Sequence, residues 1–393
     1  MLRMTTGLDS LVDEKFLRLK GKRVGVLCHP ASVDRHYVHM LDRMREEKVD
    51  VKAIFGPEHG FLGQAQDMIG VGNTPKHAAF GCPIHSLYGD SFASLSPAPE
   101  QLEGLDVLVI DLQDIGTRYY TFVWTAVLCM RVAAKVRLPL LVLDRPNPLG
   151  GDVMEGGGVD APFQSFVGLY DVPVRHGMTV GEMLELVKAE EKLDVPLEIV
   201  KARGWKRERL LPDMQYAWVF PSPNMPTYDT ALVYPGMCLL EATNASEGRG
   251  STRPFEIVGA GYADGQKLAD ALTALNEPGV VFRPLAFQPT FHKFAGKLCG
   301  GVQVHVTNAV DFHSFRVGLR FVRTLAELWP KKFQWRKEPY EFVADKNAFD
   351  LLTGTSAYRE AFASDKALLD VYQARESRVS AFIDRRRDVL IYK

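Results

Sequence analysis

The chain has no excess of basic charge. Its 47 Lys and Arg stand against 48 Asp and Glu, a formal net charge of −1. Binding to a phosphate backbone draws on a surplus of cations, so this balance argues against nucleic-acid partners. Cysteine is scarce as well. Cys28, Cys82, Cys129, Cys238 and Cys299 lie far apart, form no CxxC, and mostly sit in apolar runs. An odd, dispersed set reads as reduced, buried thiols, not a disulfide framework or a zinc site. Long hydrophobic runs are missing too. The most apolar helical stretch, 121–136, is interrupted by Arg131 and is too short to span a bilayer. The N-terminal MLRMTTGLDSL lacks the apolar segment of a signal peptide. The expectation is a soluble, cytoplasmic protein with no membrane partner; export of a longer precursor is the alternative.

Absent motifs narrow the chemistry. The first strand-like run ends in HPASV, where a dinucleotide-binding fold would carry GxGxxG. The sequence also contains no GxxxxGK[ST], no HExxH and no GxSxG. Nicotinamide dehydrogenases, P-loop NTPases, zincins and α/β-hydrolases are each disfavoured. No cofactor or metal is expected.

What is present is a large apolar inventory in a regular order. With 393 residues and 46% hydrophobic content, more than one core is expected. KRVGVLC (22–28), VKAIF (51–55), PIHSLY (83–88), DVLVIDLQ (106–113) and LPLLVLD (138–144) are compact apolar runs separated by helical segments. ASVDRHYVHMLDRMREEK and 122–136 have helical spacing. TVGEMLELVKAEEKL does too, with Thr179 and Glu182 forming a capping box. Short continuous Val, Ile and Leu runs alternating with helices predict an α/β protein built on a Rossmann-like, doubly wound parallel sheet. Proline and glycine are dense over 220–255, which predicts long ordered loops. Beyond it, helix- and strand-like runs restart. We expect a Rossmann-like catalytic domain over 1–249 and a smaller α+β domain over 250–393. The Arg385–Arg386–Arg387 run reads as a solvated helical face.

In open parallel sheets, ligands bind beyond the carboxyl ends of the strands. The residues following each strand are therefore candidates: His29, then Glu58 and His59, then Asp114, Arg118, Tyr119 and Tyr120, then Asp144, Arg145 and Asn147. In IFGPEHGF, Pro57 ends strand pairing and so presents Glu58 at the sheet edge. Glu58 is the leading catalytic candidate, with His59 as a partner that orients it. Asp144 and Arg145 read equally as an internal ion pair or as substrate contacts. His36 and His39 read as packing or surface residues. A second loop, NASEGRGSTRPFE (244–256), brings Glu247, Arg249 and Arg253 among small residues. Such a loop suits an anionic group on a ligand.

The blocks TGLDSL, GKRVGVLCHPASV, FGPEHGF, LVIDLQDIGTRYYTF, LDRPNPLGG, FPSPNMPT, NASEGRGSTRPFE and FAGKLCGGVQVHVT together resemble the bacterial exo-β-N-acetylmuramidases. The resemblance runs in order from about Thr6 to at least Thr307. It implies a Rossmann-like N-terminal domain, a smaller C-terminal domain and an active site between them. It further implies release of N-acetylmuramic acid from the non-reducing end of peptidoglycan fragments. Glu58 matches the glutamate of the family's GPEHG block, the expected general acid. For a second carboxylate, Glu247 and then Asp114 are the candidates; participation of the substrate's own 2-acetamido group is a third route. Tyr119, Tyr120 and Asn224 are candidates to position the sugar. Arg118, Arg249 and Arg253 are candidates to read the lactyl carboxylate, because bidentate arginine suits carboxylates. Two alternatives stand beside this: an enzyme acting on another anionic sugar derivative, or a non-catalytic binder of cell-wall fragments.

Overall fold

The structure is a computed structural model that describes residues 4–66, 69–70 and 76–392. Six strands, β1 (Arg23–Cys28), β2 (Asp50–Gly56), β3 (Ile84–Ser86), β4 (Val107–Asp111), β5 (Leu140–Leu143) and β6 (Leu197–Val200), form one sheet. All pairings are parallel, in the order β3-β2-β1-β4-β5-β6. This is the Rossmann order that the alternation of runs predicts. The apolar runs work because both faces are covered. On β4 and β5, Leu108, Ile110, Leu140 and Val142 enter one core. Val107, Val109, Leu141 and Leu143 enter the other, as the two-residue period of a strand requires.

The smaller lobe holds three antiparallel strands, β7 (Ile257–Ala260), β8 (Val280–Phe287) and β9 (Cys299–Val306), in the order β7-β9-β8. Its core residues Val258, Phe282, Val302 and Phe321 are continuous with the core on one face of the large sheet. The lobes therefore share a core and do not merely touch.

Three local expectations are corrected. The helical reading of 31–48 holds only for Met40–Glu46. Before it, Asp34 Oδ1 accepts from His36 N and Val38 N at 2.8 and 3.0 Å. That turn makes a side chain, not the helix, satisfy the backbone. Within 220–255 stands a helix, Tyr228–Met237, despite Pro235 and Gly236. A methyl at Gly236 would lie 2.0 Å from Ser314 O of the helix Ser314–Leu328, and one at Gly318 would lie 2.3 Å from Gly236 O. The glycines serve a close helix crossing, not a loop. Finally, Arg386 is no solvated residue. It is buried and donates to Gly177 O and Gly151 O at 2.8 and 2.9 Å.

All five cysteines are buried and free. Among the described residues, no helix is long and apolar enough to cross a membrane.

Candidate active site

The exit of β2 is a tight turn. A side chain at Gly56 would meet Phe61 N at 2.4 Å, so the chain can fold back only with glycine there. Gly60 N–H donates to Pro57 O at 3.0 Å, and Leu87 N–H to Gly56 O at 2.8 Å. His59 takes a left-handed φ of 70°, and its Nδ1 lies 3.0 Å from Ala65 O. The turn delivers Glu58, only 9% exposed, to the wall of a small cavity. Thr121 Oγ1 donates to Glu58 Oε2 at 2.5 Å. Thr121 is the N-cap residue of the helix Phe122–Val136 that follows β4. The carboxylate is thus fixed by two strand ends at once.

Both lobes line the cavity. His59, Tyr119, Tyr120 and Phe122 come from the large one, and Glu241, Arg249, Phe255 and Glu341 from the segment beyond 237. Aromatic rings form much of the wall. Tyr120 lies 4.8 Å from Phe122 and 5.9 Å from Tyr234, and Tyr234 lies 4.8 Å from Phe255. Between the rings the wall is rich in polar groups, among them Glu58, His59, Asn224, Glu241, Arg249 and Glu341. Asn224, also on the wall, donates Nδ2 to Gln66 Oε1 at 2.6 Å. Tyr119 donates its hydroxyl to Pro235 O.

The cation of the cavity is Arg249. Its Nη2 donates to Glu241 Oε1 at 2.7 Å, and its guanidinium stacks over Phe255 at 5.2 Å. Tyr340 OH donates to Glu241 Oε2, also at 2.7 Å. Behind it lies Glu247, fully buried, within 3.5 Å of Arg249 Nε. Lys293 Nζ and His292 Nδ1 each lie 2.9 Å from the Glu247 carboxylate. Burial works against its ionisation. The Lys293 charge, the His292 hydrogen bond and Arg249 outweigh that and hold the carboxyl well below its ordinary range. Glu247 does not line the cavity; it braces the arginine that does.

Asp114 is also set back. Its Oδ2 accepts from Gly116 N at 2.6 Å and lies 3.7 Å from His176 Nε2. Burial pushes this carboxyl up to about 7. Arg118 is buried with its guanidinium on Val172 O and Leu352 O at 2.9 and 2.6 Å. Arg253 pairs with Glu256 at 2.9 Å, with its side chain 43% exposed. Asp144 accepts from Thr179 Oγ1, Tyr392 OH and Gly181 N at 2.7, 2.7 and 2.9 Å, so it ties the C-terminal segment to the sheet. Asn147 donates to Met178 O at 3.1 Å. Arg145 pairs with Asp111, not Asp144, at 2.5 and 2.8 Å.

His29 lies at the topological switch point between β1 and β4. Its Nε2 lies 2.8 Å from Gln113 N, past the end of β4, and Ser32 Oγ donates to Asp111 O at 2.6 Å. These side chains and the Arg145–Asp111 pair fill the place where the fold takes a dinucleotide. Among the described residues, no cluster of three or more His, Cys, Asp and Glu side chains is placed to hold a metal ion.

Sequence reasoning missed Thr121, Glu241, Tyr340 and Glu341. Thr121 directly follows the quoted tyrosines and was within reach. The other three carry no local signal; only the closing of the small lobe brings them in.

A Rossmann-ordered sheet and a smaller lobe, closing together on one carboxylate-bearing cavity, define a two-lobed α/β enzyme. The chain belongs to the exo-β-N-acetylmuramidase NamZ family of glycoside hydrolases. The model of that family's N-terminal domain matches residues 24–229, and that of its C-terminal domain matches 232–392. The peptidoglycan β-N-acetylmuramidase NamZ of Bacillus subtilis (strain 168) is 39% identical over 391 residues, 99% of this chain and 92% of that protein. Two DUF1343 family proteins of Bacteroides fragilis NCTC 9343 share the fold. One aligns over 100% of both chains with a TM-score of 0.89 and 32% identity. The other aligns over 99% of each with a TM-score of 0.74 and 26% identity.

Proposed function

We propose that this protein hydrolyses the β-glycosidic bond of N-acetylmuramic acid at the non-reducing end of peptidoglycan fragments, with Glu58 as general acid. The observation that carries the reading is the placement of Glu58: nine-tenths buried, held by Thr121, in a cavity with Arg249 on its wall. The carboxylic acid gives its proton to the glycosidic oxygen as the bond from the anomeric carbon breaks and its electron pair passes to that oxygen. The tyrosine and phenylalanine wall takes the apolar face of the sugar. Arg249 meets the lactyl carboxylate, the group that distinguishes muramic acid from N-acetylglucosamine; a guanidinium fork suits it. Glu247 and Asp114 both stand behind the cavity wall. That favours participation of the substrate's own 2-acetamido group over either of them as nucleophile.

The test is incubation with N-acetylmuramyl-β-1,4-N-acetylglucosamine, following free N-acetylmuramic acid by mass spectrometry. Wild type releases it, and Glu58→Gln loses about 10²-fold or more in kcat while still binding ligand. Equal release by both proteins would remove Glu58 from the role. No release by wild type would overturn the reaction.

A further inference from the structure

The small lobe supplies one element whose backbone is strained and whose side chain enters the cavity. Tyr340 N–H donates to Val343 O and Val343 N–H to Tyr340 O, both at 3.0 Å, closing a two-residue turn. Its central residues, Glu341 and Phe342, have φ of 46° and 67°. Two positive values in sequence mark a type I′ turn. Such turns favour Asn-Gly, because a β-carbon is penalised in the left-handed region. Here a glutamate and a phenylalanine occupy both places.

Contacts across the lobes hold them there. Tyr88, just past β3 in the large lobe, donates its hydroxyl to Glu341 Oε2 at 3.1 Å. The Phe342 ring lies 5.7 Å from that of Tyr88. The neighbouring Tyr340 orders Glu241 in turn. Glu341 is 6% exposed and lines the same cavity as Glu58, from the opposite lobe. An unstrained pair would close the same turn, so the strain is kept for what the side chains do. Hydrogen bonding to the sugar is a role that a buried carboxylate at this place can fill. Its oxygens accept from a ligand rich in O–H and N–H donors.

We propose that Glu341 is a substrate-positioning carboxylate that accepts hydrogen bonds from the hydroxyl or acetamido N–H donors of the muramic acid ring. The inference rests on the muramidase reading above and adds to it a residue from the small lobe. The Tyr88 hydroxyl orients this carboxylate, and binding of the sugar completes the bridge between the lobes.

The test compares wild type, Glu341→Gln and Tyr88→Phe. Three quantities are read: calorimetric binding of N-acetylmuramic acid, kcat/KM on the muramyl disaccharide, and Tm. Glutamine keeps the size and loses the charge, so Kd rises and kcat/KM falls by about tenfold or more, with Tm near that of wild type. Tyr88→Phe removes only the orienting hydroxyl and gives a smaller loss. Binding and turnover by Glu341→Gln within about twofold of wild type would overturn the proposal. So would a loss in Tyr88→Phe as large as in Glu341→Gln, because the turn would then be a lobe latch and nothing more. A wild type that binds N-acetylmuramic acid without cleaving the disaccharide would overturn the reaction, and the Kd comparison would still decide the role of Glu341.

Discussion

Replacing Glu247 by glutamine separates a brace from a catalyst. The Glu247 carboxylate is fully buried among Lys293, His292 and Arg249, at 2.9, 2.9 and 3.5 Å. Removing its charge leaves Lys293 without its carboxylate, while Arg249 keeps Glu241 at 2.7 Å. Breaking a buried pair from one side costs about 3–5 kcal/mol. The Lys293 side chain is 18% exposed and keeps its 2.9 Å bond to Leu240 O, so the lower end, about 3 kcal/mol, is expected. At about 2.1 cal/mol/K of unfolding entropy per residue, a chain of 393 residues shifts by about 1.2 °C per kcal/mol, so Tm falls by about 4 °C. The pH dependence has a definite sign. The folded carboxyl titrates below its reference of 4.5, so its contribution is complete above that pH. It fades as pH falls toward the folded value. The Tm gap between wild type and variant is therefore full at pH 7 and narrows below pH 4.5.

The assay is thermal unfolding at pH 7 and pH 4 beside steady-state kinetics on the muramyl disaccharide at 25 °C. A brace predicts raised KM, because Arg249 loosens, with kcat retained within about tenfold. A group taking part in proton transfer contributes about 10²–10⁴-fold. A kcat collapse of that size with Tm unchanged would refute the reasoning and return Glu247 to the chemistry.

Two further substitutions probe specificity and packing. Arg249→Lys keeps a charge but loses the fork that holds Glu241 and that the proposed reading aims at the lactyl carboxylate. The preference for a muramyl over a glucosaminyl disaccharide falls by about tenfold or more, read as a ratio of kcat/KM values. Gly236→Ala forces a methyl to 2.0 Å from Ser314 O, which separates the two crossing helices. It lowers stability by about 1–3 kcal/mol in urea unfolding, with the larger loss expected because the obstacle is backbone.

The sequence carried the sheet almost entirely. Its central strands β4 and β5 are Val, Ile and Leu runs buried on both faces, the mark of a covered parallel sheet, while the edge strands β3 and β6 are partly exposed and carry a weaker signal. The catalytic candidate was legible for the same reason: Gly56 and Pro57 end β2 visibly, and whatever follows must stand at the sheet edge. What failed were features that depend on the far side of a contact. Gly236 reads as a loop residue until the helix 314–328 lies across it. Arg118 reads as an anion reader until its guanidinium is found on two backbone carbonyls. Arg118, Arg249 and Arg253 cannot be ranked from sequence, because burial and counter-ions decide which one faces a cavity.

The sheet order by itself points to a different crevice from the cavity that holds Glu58. In the order β3-β2-β1-β4-β5-β6 the switch point lies between β1 and β4. Here that place is closed by His29 against Gln113, by Ser32 against Asp111 and by the Arg145–Asp111 pair. The cavity lies beyond it, between the end of β2 and the N-cap of the helix after β4, where Thr121 meets Glu58. Three residues at the cavity carry left-handed φ without being glycine: His59 at 70°, Phe255 at 62° and Glu341 at 46°. Each such residue costs about 1–3 kcal/mol; among the described residues, eleven other non-glycine residues take left-handed φ away from the cavity wall. The fold thus provides the support, and the candidate site is made by a turn that needs glycine at 56 and by the segment beyond 237, which brings Glu241, Arg249 and Glu341 to the cavity.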